Sequence, residues 1–211
     1  MEYAEDAGAG KSSKKPAEKP GSIKRVENTI YFSDRITYET ATQLNILLHQ
    51  CELDIVADLK DAEEHMRKGK LKNVHTSVDP KPIILMLTTL GGLVHAAFTV
   101  VDTIVALRVP VHTVVSGYVA SAGTLISLAG KRRFITPNSY MMIHEIRSGF
   151  WGRYSDARVE YENVTKLMEH VTQYYMDNTA LTRETLTTLL RSDSDMNAKE
   201  SLALGLVHAI Q

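Results

Sequence analysis

Three short segments each join a reactive or backbone-exposing residue to the end of an apolar run. Ser121 stands in Gly117-Tyr-Val-Ala-Ser-Ala-Gly, just after the run Val111-His-Thr-Val-Val and at the start of a helical pattern. A hydroxyl there lies at the positive end of the helix, beside N–H groups that lack intrahelical partners. The same position suits an ordinary N-cap serine, and Val119 two residues earlier means that the segment is no G-x-S-x-G elbow. His144 ends Met141-Met-Ile-His, at the carboxyl end of a short strand pattern, where an imidazole serves as a general base or as a hydrogen-bonded structural group. Gly91-Gly92 follows Ile83-Ile-Leu-Met-Leu and lets a backbone N–H face outward, which suits a developing oxyanion, although glycine pairs also make plain turns. In combination these groups fit acyl transfer. A serine needs a base to take its proton, and the base needs a third group to fix its tautomer. The seven other histidines have no comparable setting.

These groups need strands and helices to hold them. Ile83–Leu87 is a continuous apolar run bounded by Pro82 and Gly91, the pattern of a strand buried on both faces. A helix over Ala96–Leu107, a strand at Val111–Val115, a helix over Ala120–Ala129 and short strands at Arg133–Ile135 and Tyr140–Ile143 follow. Strands alternating with helices imply an α/β fold with a parallel sheet. Ser155–Asn178 reads as one long helix. Its stripe of Ala157, Tyr161, Val164, Met168, Val171 and Tyr175 either seats it on its own domain or joins subunits. Upstream, Asn28–Ser33 reads as the first strand and the start of ordered structure, with a helix near Glu39–His49.

The composition bounds the class of protein. The 211 residues carry 24 Lys+Arg against 25 Asp+Glu, a net charge of −1, 44% hydrophobic residues and one cysteine. That length and apolar content support a packed domain of soluble type, and near-neutrality gives no general attraction to nucleic acid or anionic membrane. Cys51 alone can form neither an intrachain disulfide nor a cysteine-based zinc site, and fits a reducing compartment. There is no secretory h-region and no apolar run of membrane-spanning length. Residues 11–25 hold six Lys/Arg and one acid among Gly, Ser, Pro and Ala, so residues 1–25 read as a flexible basic tail. Residues 52–80 form a charged stretch that ends in Asp79-Pro-Lys-Pro and read as an exposed helical excursion or loop outside the core.

The segments LMLTTLGG, VDTI, SGYVASAGTLISLAGKRRFITPNSYMMIH and AKESLALGLV occur in an order that resembles the ClpP peptidases, the proteolytic chambers of ATP-dependent Clp proteases. The resemblance covers about residues 28–51 and 82–211 and is most specific from Gly117 to His144. It implies the ClpP/crotonase-like fold of repeated β-β-α units with a protruding handle helix, in a domain spanning residues 26–211 with the insertion at 52–80. By the same resemblance Ser121 is the nucleophile, His144 the general base, and the backbone amides of Gly92 and Ala122 form the oxyanion hole. Counting back from Ala198, Glu200 and Gly205 of the terminal motif gives Asp193 as the third member, with Asp195 as the fallback. Either acid also fits a solvated loop or a helix cap. Neither metal nor organic cofactor is required.

What the resemblance implies is a serine endopeptidase cutting unfolded proteins inside a homo-oligomeric chamber of heptameric rings, fed by an AAA+ Clp ATPase. Protein and peptide substrates, a cytoplasmic location (a plastid or other organelle being the alternative), and no membrane or nucleic-acid partner follow. The chain departs from the family pattern in several places. Thr89-Leu90-Gly91-Gly92 replaces Ser-Pro-Gly-Gly, Ile146 replaces the proline after the histidine, and Ser192 stands where an arginine often serves contacts between rings. The tail and the insertion also differ where the unfoldase docks in typical members. Trp151 fits either the ring junction or an ordinary core site. The alternatives are a non-catalytic structural or regulatory ring subunit, a crotonase-type acyl-CoA enzyme and a viral capsid-maturation protease.

Overall fold

The run from Ile83 to Leu87 is too apolar to face water, and the protein makes it the centre of a largely parallel sheet. The computed structural model describes residues 23–68, 80–149 and 151–211. Among these, β1 (Ile23–Val26) pairs antiparallel with β2 (Thr29–Phe32). From β2 the sheet runs parallel through β3 (Ile83–Thr89), β4 (Val111–Ala120), β5 (Arg132–Ile135) and β8 (Ala209–Ile210). Two short strands extend it at the far end of β4: β6 (Tyr140–Met142) lies parallel to β4, and β7 (Asp195–Asn197) antiparallel to β6. The connecting helices are α1 (Tyr38–Arg67), α2 (Val94–Ala106), α3 (Ala122–Leu128), α4 (Tyr154–Asn178), α5 (Arg183–Ser192) and α6 (Ala198–Ala203). This is the expected α/β architecture, with β-α-β crossovers joining parallel neighbours. No helix among the described residues is long and apolar enough to cross a membrane.

Burial along β3 alternates instead of being uniform. Ile83, Leu85 and Leu87 are fully buried while Ile84 and Met86 are half-buried, so the expectation of a strand sealed on both faces holds for one face only. The core gathers on that face, where Val100, Ile104, Val115, Leu125 and Ile126 join the β3 side chains. Each such side chain contributes roughly 1.5–3 kcal/mol by leaving water.

Two boundaries move from where the sequence put them. Among the described residues the first strand begins at Ile23, so residues 23–25 belong to β1 and not to a tail, while residues 1–22 lie outside the described residues. The reason is local: the turn at Glu27-Asn28 folds β1 back on β2, and Arg25 reaches Asp54 on α1 at 2.7 Å. The first helix likewise does not stop near His49 but runs on to Arg67. Leu44, Leu48, Cys51 and Ile55 continue one buried stripe at helical spacing, so the first turn of the charged stretch is core. Glu52, also buried, accepts hydrogen bonds at Oε1 from the backbone N–H of Arg108 (2.6 Å) and Val109 (3.4 Å), tying α1 to the entry of β4. Residues 69–79 of the insertion lie outside the described residues.

The stripe on α4 divides. Val171 and Tyr175 are buried and Met168 packs on the core, whereas Tyr161 and Val159 at the other end are exposed. Trp151, just before the helix, is fully exposed, which excludes a place in the core of this chain.

Candidate active site

Ser121 occupies the single residue between β4 and α3, where the chain must turn sharply from strand to helix. Its backbone takes φ 55° and ψ −130°, a positive-φ conformation costly for a residue with a Cβ. Ser121 stands at the N-cap position yet makes no side-chain cap. Its hydroxyl is thus free of the structural duty that the sequence position also suited. Its backbone is firmly held: the N–H donates to Met142 O on β6 at 2.8 Å, and the carbonyl accepts from the Thr124 N–H at 3.0 Å.

The glycine pair ends β3 directly against this turn. Gly91 has φ 89°, and a Cβ there would stand 2.6 Å from Ser121 Cβ and 2.7 Å from Ala120 O. At Gly92 a Cβ would overlap the Ile36 carbonyl. Ile36 bonds around the second glycine: its N–H donates to Gly91 O and its carbonyl accepts from the Leu93 N–H, both at 2.9 Å. That parallel bridge leaves the Gly92 N–H turned away from Ile36. The Ala122 N–H, first in α3, has no intrahelical acceptor. Thr89 steadies the pair: its hydroxyl accepts from the Gly91 N–H at 3.0 Å and donates to Asp34 O at 2.5 Å.

His144 lies two residues beyond β6, whose Met142 receives the Ser121 N–H. Ser121, His144, Gly91, Gly92 and Ala122 all line one cleft of about 710 Å³. Its walls add apolar Val94, Leu125, Ile146, Val171 and Tyr175 and the charged Asp34, Arg35, Glu145 and Arg147. The His144 ring is not tied down: Nδ1 is buried without a hydrogen-bond partner, and no bond joins the ring to Ser121 among the described residues.

Asp193 is the left-handed C-cap of α5 (φ 47°, ψ 32°), and its carboxylate pairs with the Arg147 guanidinium, not with His144. Asp195, on β7, accepts from the Tyr118 hydroxyl at 2.7 Å. Burial, reinforced by that bond, pushes the Tyr118 phenol up to about 12. The β6–β7 register separates the two acids. Tyr140 faces Asn197, Met141 faces Met196 and Met142 faces Asp195. The ladder ends there: Asp193 lies two residues before β7 in its left-handed turn, and beyond β6 the Glu145 N–H donates to Leu190 O of α5 at 3.0 Å. Glu200 of the terminal motif closes a capping box with Asn197 at the start of α6 and so fixes the exit of β7.

Three groups lining the cleft, Arg147, Tyr118 and Thr89, carry no distinctive sequence pattern, and Thr124 is buried behind it. Thr124 alone had a local signal, since a threonine in a first helical turn can bond the carbonyl three residues back. Among the described residues no group of three or more His, Cys, Asp or Glu side chains could hold a metal ion. In a comparison with protein families, residues 36–211 match the family described as Clp protease.

Proposed function

Since this chain belongs to the Clp protease family, we propose that it is a serine endopeptidase of ClpP type, in which Ser121 is the nucleophile, His144 the base and Asp193 the group that orients the base. The observation that carries the reading is the uncapped Ser121, held at positive φ on the wall of the cleft that His144 shares. Strain of this kind persists where surrounding structure imposes it, and it clusters at catalytic residues.

The chemistry runs as acyl transfer. Ser121 Oγ attacks a peptide carbonyl as His144 Nε2 takes the hydroxyl proton, and the tetrahedral oxyanion is held by the outward N–H groups of Gly92 and Ala122. His144 then delivers the proton to the leaving amine. Water repeats the sequence on the acyl-enzyme and frees the serine. The Asp193 carboxylate would meet His144 Nδ1, the buried atom that lacks a partner. The terminal motif favours Asp193 over Asp195, which already accepts from Tyr118.

Unfolded proteins and peptides are the substrates, admitted to a chamber built from copies of this chain and delivered by an AAA+ unfoldase. Trp151, Tyr154, Val159 and Tyr161, exposed at one end of α4, supply an apolar surface for a second copy. The buried thiol of Cys51 agrees with a cytoplasmic or other reducing compartment. A second reading, a ring subunit with little activity of its own, draws on the Arg147–Asp193 pair.

Replacing Ser121 with Ala separates them. In the endopeptidase, wild-type protein is labelled by a fluorophosphonate and cleaves a fluorogenic peptide, and Ser121→Ala loses both with its oligomer intact. Labelling that persists in Ser121→Ala removes the assignment; a wild type that neither reacts nor cleaves favours the inactive subunit.

A further inference from the structure

A chain of buried hydroxyls runs from the long helix to the nucleophile's own peptide group. Thr124 Oγ1 lies 2.6 Å from the Ser121 carbonyl oxygen and also meets the Tyr175 hydroxyl. The direction of these bonds follows from proton counting. A carbonyl can only accept, so the one Thr124 hydroxyl proton points to Ser121 O, and the Tyr175 O–H must donate to Thr124. Thr124 is fully buried and Tyr175 almost so. Burial also pushes the Tyr175 phenol above its ordinary range, which keeps it a neutral donor. The Ser121 carbonyl therefore accepts two bonds from one residue, the Thr124 N–H and the Thr124 hydroxyl.

That carbonyl shares a peptide plane with the Ala122 N–H. In a trans peptide the two point in opposite directions, so gripping the oxygen aims the N–H. We propose that Thr124 and Tyr175 are positioning residues that set the Ala122 oxyanion donor by holding the carbonyl of its own peptide, with the buried end of α4 as the anchor. This rests on the catalytic reading of Ser121 and adds residues whose side chains do no chemistry. Polarisation adds to orientation. Each bond in such a chain strengthens the next, and a carbonyl that accepts twice makes its peptide N–H a better donor. Tyr175 also borders the cleft.

The test compares Thr124→Val, Thr124→Ser and Tyr175→Phe with wild type, in fluorophosphonate labelling, in kcat and KM on a fluorogenic peptide, and in inhibition by a peptide aldehyde, which forms a tetrahedral adduct. An oxyanion donor acts in the transition state, so Thr124→Val lowers kcat and labelling roughly ten- to a hundred-fold with KM little changed, and weakens the aldehyde by the same factor. Thr124→Ser keeps the hydroxyl and stays near wild type, while Tyr175→Phe shows a smaller loss of the same kind. Circular dichroism checks that each variant is folded, and Tyr175→Phe carries the comparison should the valine variant fail to fold. Wild-type rates in folded Thr124→Val or, in its place, Tyr175→Phe overturn the proposal. So does a serine variant as impaired as the valine one, or aldehyde affinity that stays put while kcat falls. A wild-type protein inert to the fluorophosphonate defeats the catalytic reading and this inference together; a reactive wild type with unaffected variants defeats this inference alone.

Discussion

Arg147→Leu tests whether the Asp193 carboxylate is shared between two claimants. In the structure Arg147 holds it, while His144 Nδ1 is buried and unsatisfied. Deleting the guanidinium leaves the imidazole as the remaining partner. The side chains of Arg147 and Asp193 are 73% and 47% exposed, and a pair that open to water is worth about 0–1 kcal/mol. The gain is bounded accordingly: a bias of 1 kcal/mol changes a population at most about fivefold. The second-order rate of fluorophosphonate labelling at low ionic strength should therefore rise by up to about fivefold. Salt should raise the wild-type rate toward that of the variant, since screening weakens the exposed pair more than a contact inside the cleft. The melting temperature should shift by no more than about 2–4 °C, as expected for 1 kcal/mol in a chain of this size. The double variant Arg147→Leu/Asp193→Asn should show no gain, because the arginine acts only through the acid. A fall in labelling for Arg147→Leu, or the same gain in the double variant, refutes the competition.

Three further outcomes follow from the geometry. Asp193→Asn should lower labelling on the order of 10⁴-fold by holding His144 in the wrong tautomer, whereas Asp195→Asn still offers Tyr118 an acceptor and should leave labelling nearly intact; the reverse order of effects would make Asp195 the acid. Gly91→Ala forces a side chain into φ 89° and against Ser121, at a cost of about 1–2 kcal/mol for the backbone and about 1–3 kcal/mol for overpacking, so its urea midpoint should drop and its labelling vanish; normal labelling would show that the glycine turn is not where the structure has it. His112 and His208 are pushed below the ordinary histidine value by burial and then by neighbouring cations, Arg132 and Lys131 beside His112 and Arg133 and Arg132 beside His208. With folded values depressed, their contribution to stability is whole above about pH 6.5 and declines as the pH falls through the folded midpoints. Proton NMR titration of the ring protons checks both positions, and midpoints at or above 6.5 would contradict the cause assigned.

Much of this fold follows from periodicity, because strands that join helices across a core must show it. The runs at Ile83 and Val111 and the helices after them fall within a few residues of β3, β4, α2 and α3. The charge density from Asp54 onward hid the continuation of α1, although Cys51 and Ile55 keep the stripe of Leu44 and Leu48. A helix can carry many charges on its outer face while its inner face stays in the core. β1 had no such stripe. Its burial pattern is only half-buried to exposed, and it is held by pairing with β2 and by Arg25 on Asp54. At the site, Ser121, His144 and the glycines are legible because each follows a strand. The grip of Arg147 on Asp193 and the meeting of Thr124 with Tyr175 join residues 46 and 51 positions apart. Only tertiary structure brings such partners together.

The backbone of Ser121 has a consequence for how the site could be lost. At φ 55° and ψ −130° glycine rests more easily than serine, so Ser121→Gly should gain on the order of 1 kcal/mol of folding stability while removing the hydroxyl. With Ser121 as the proposed nucleophile, folding and reactivity would pull in opposite directions at this one residue. A chain judged only on how well it folds and assembles would drift toward glycine there. The serine's presence is thus a standing cost that thermodynamic stability gives no reason to bear.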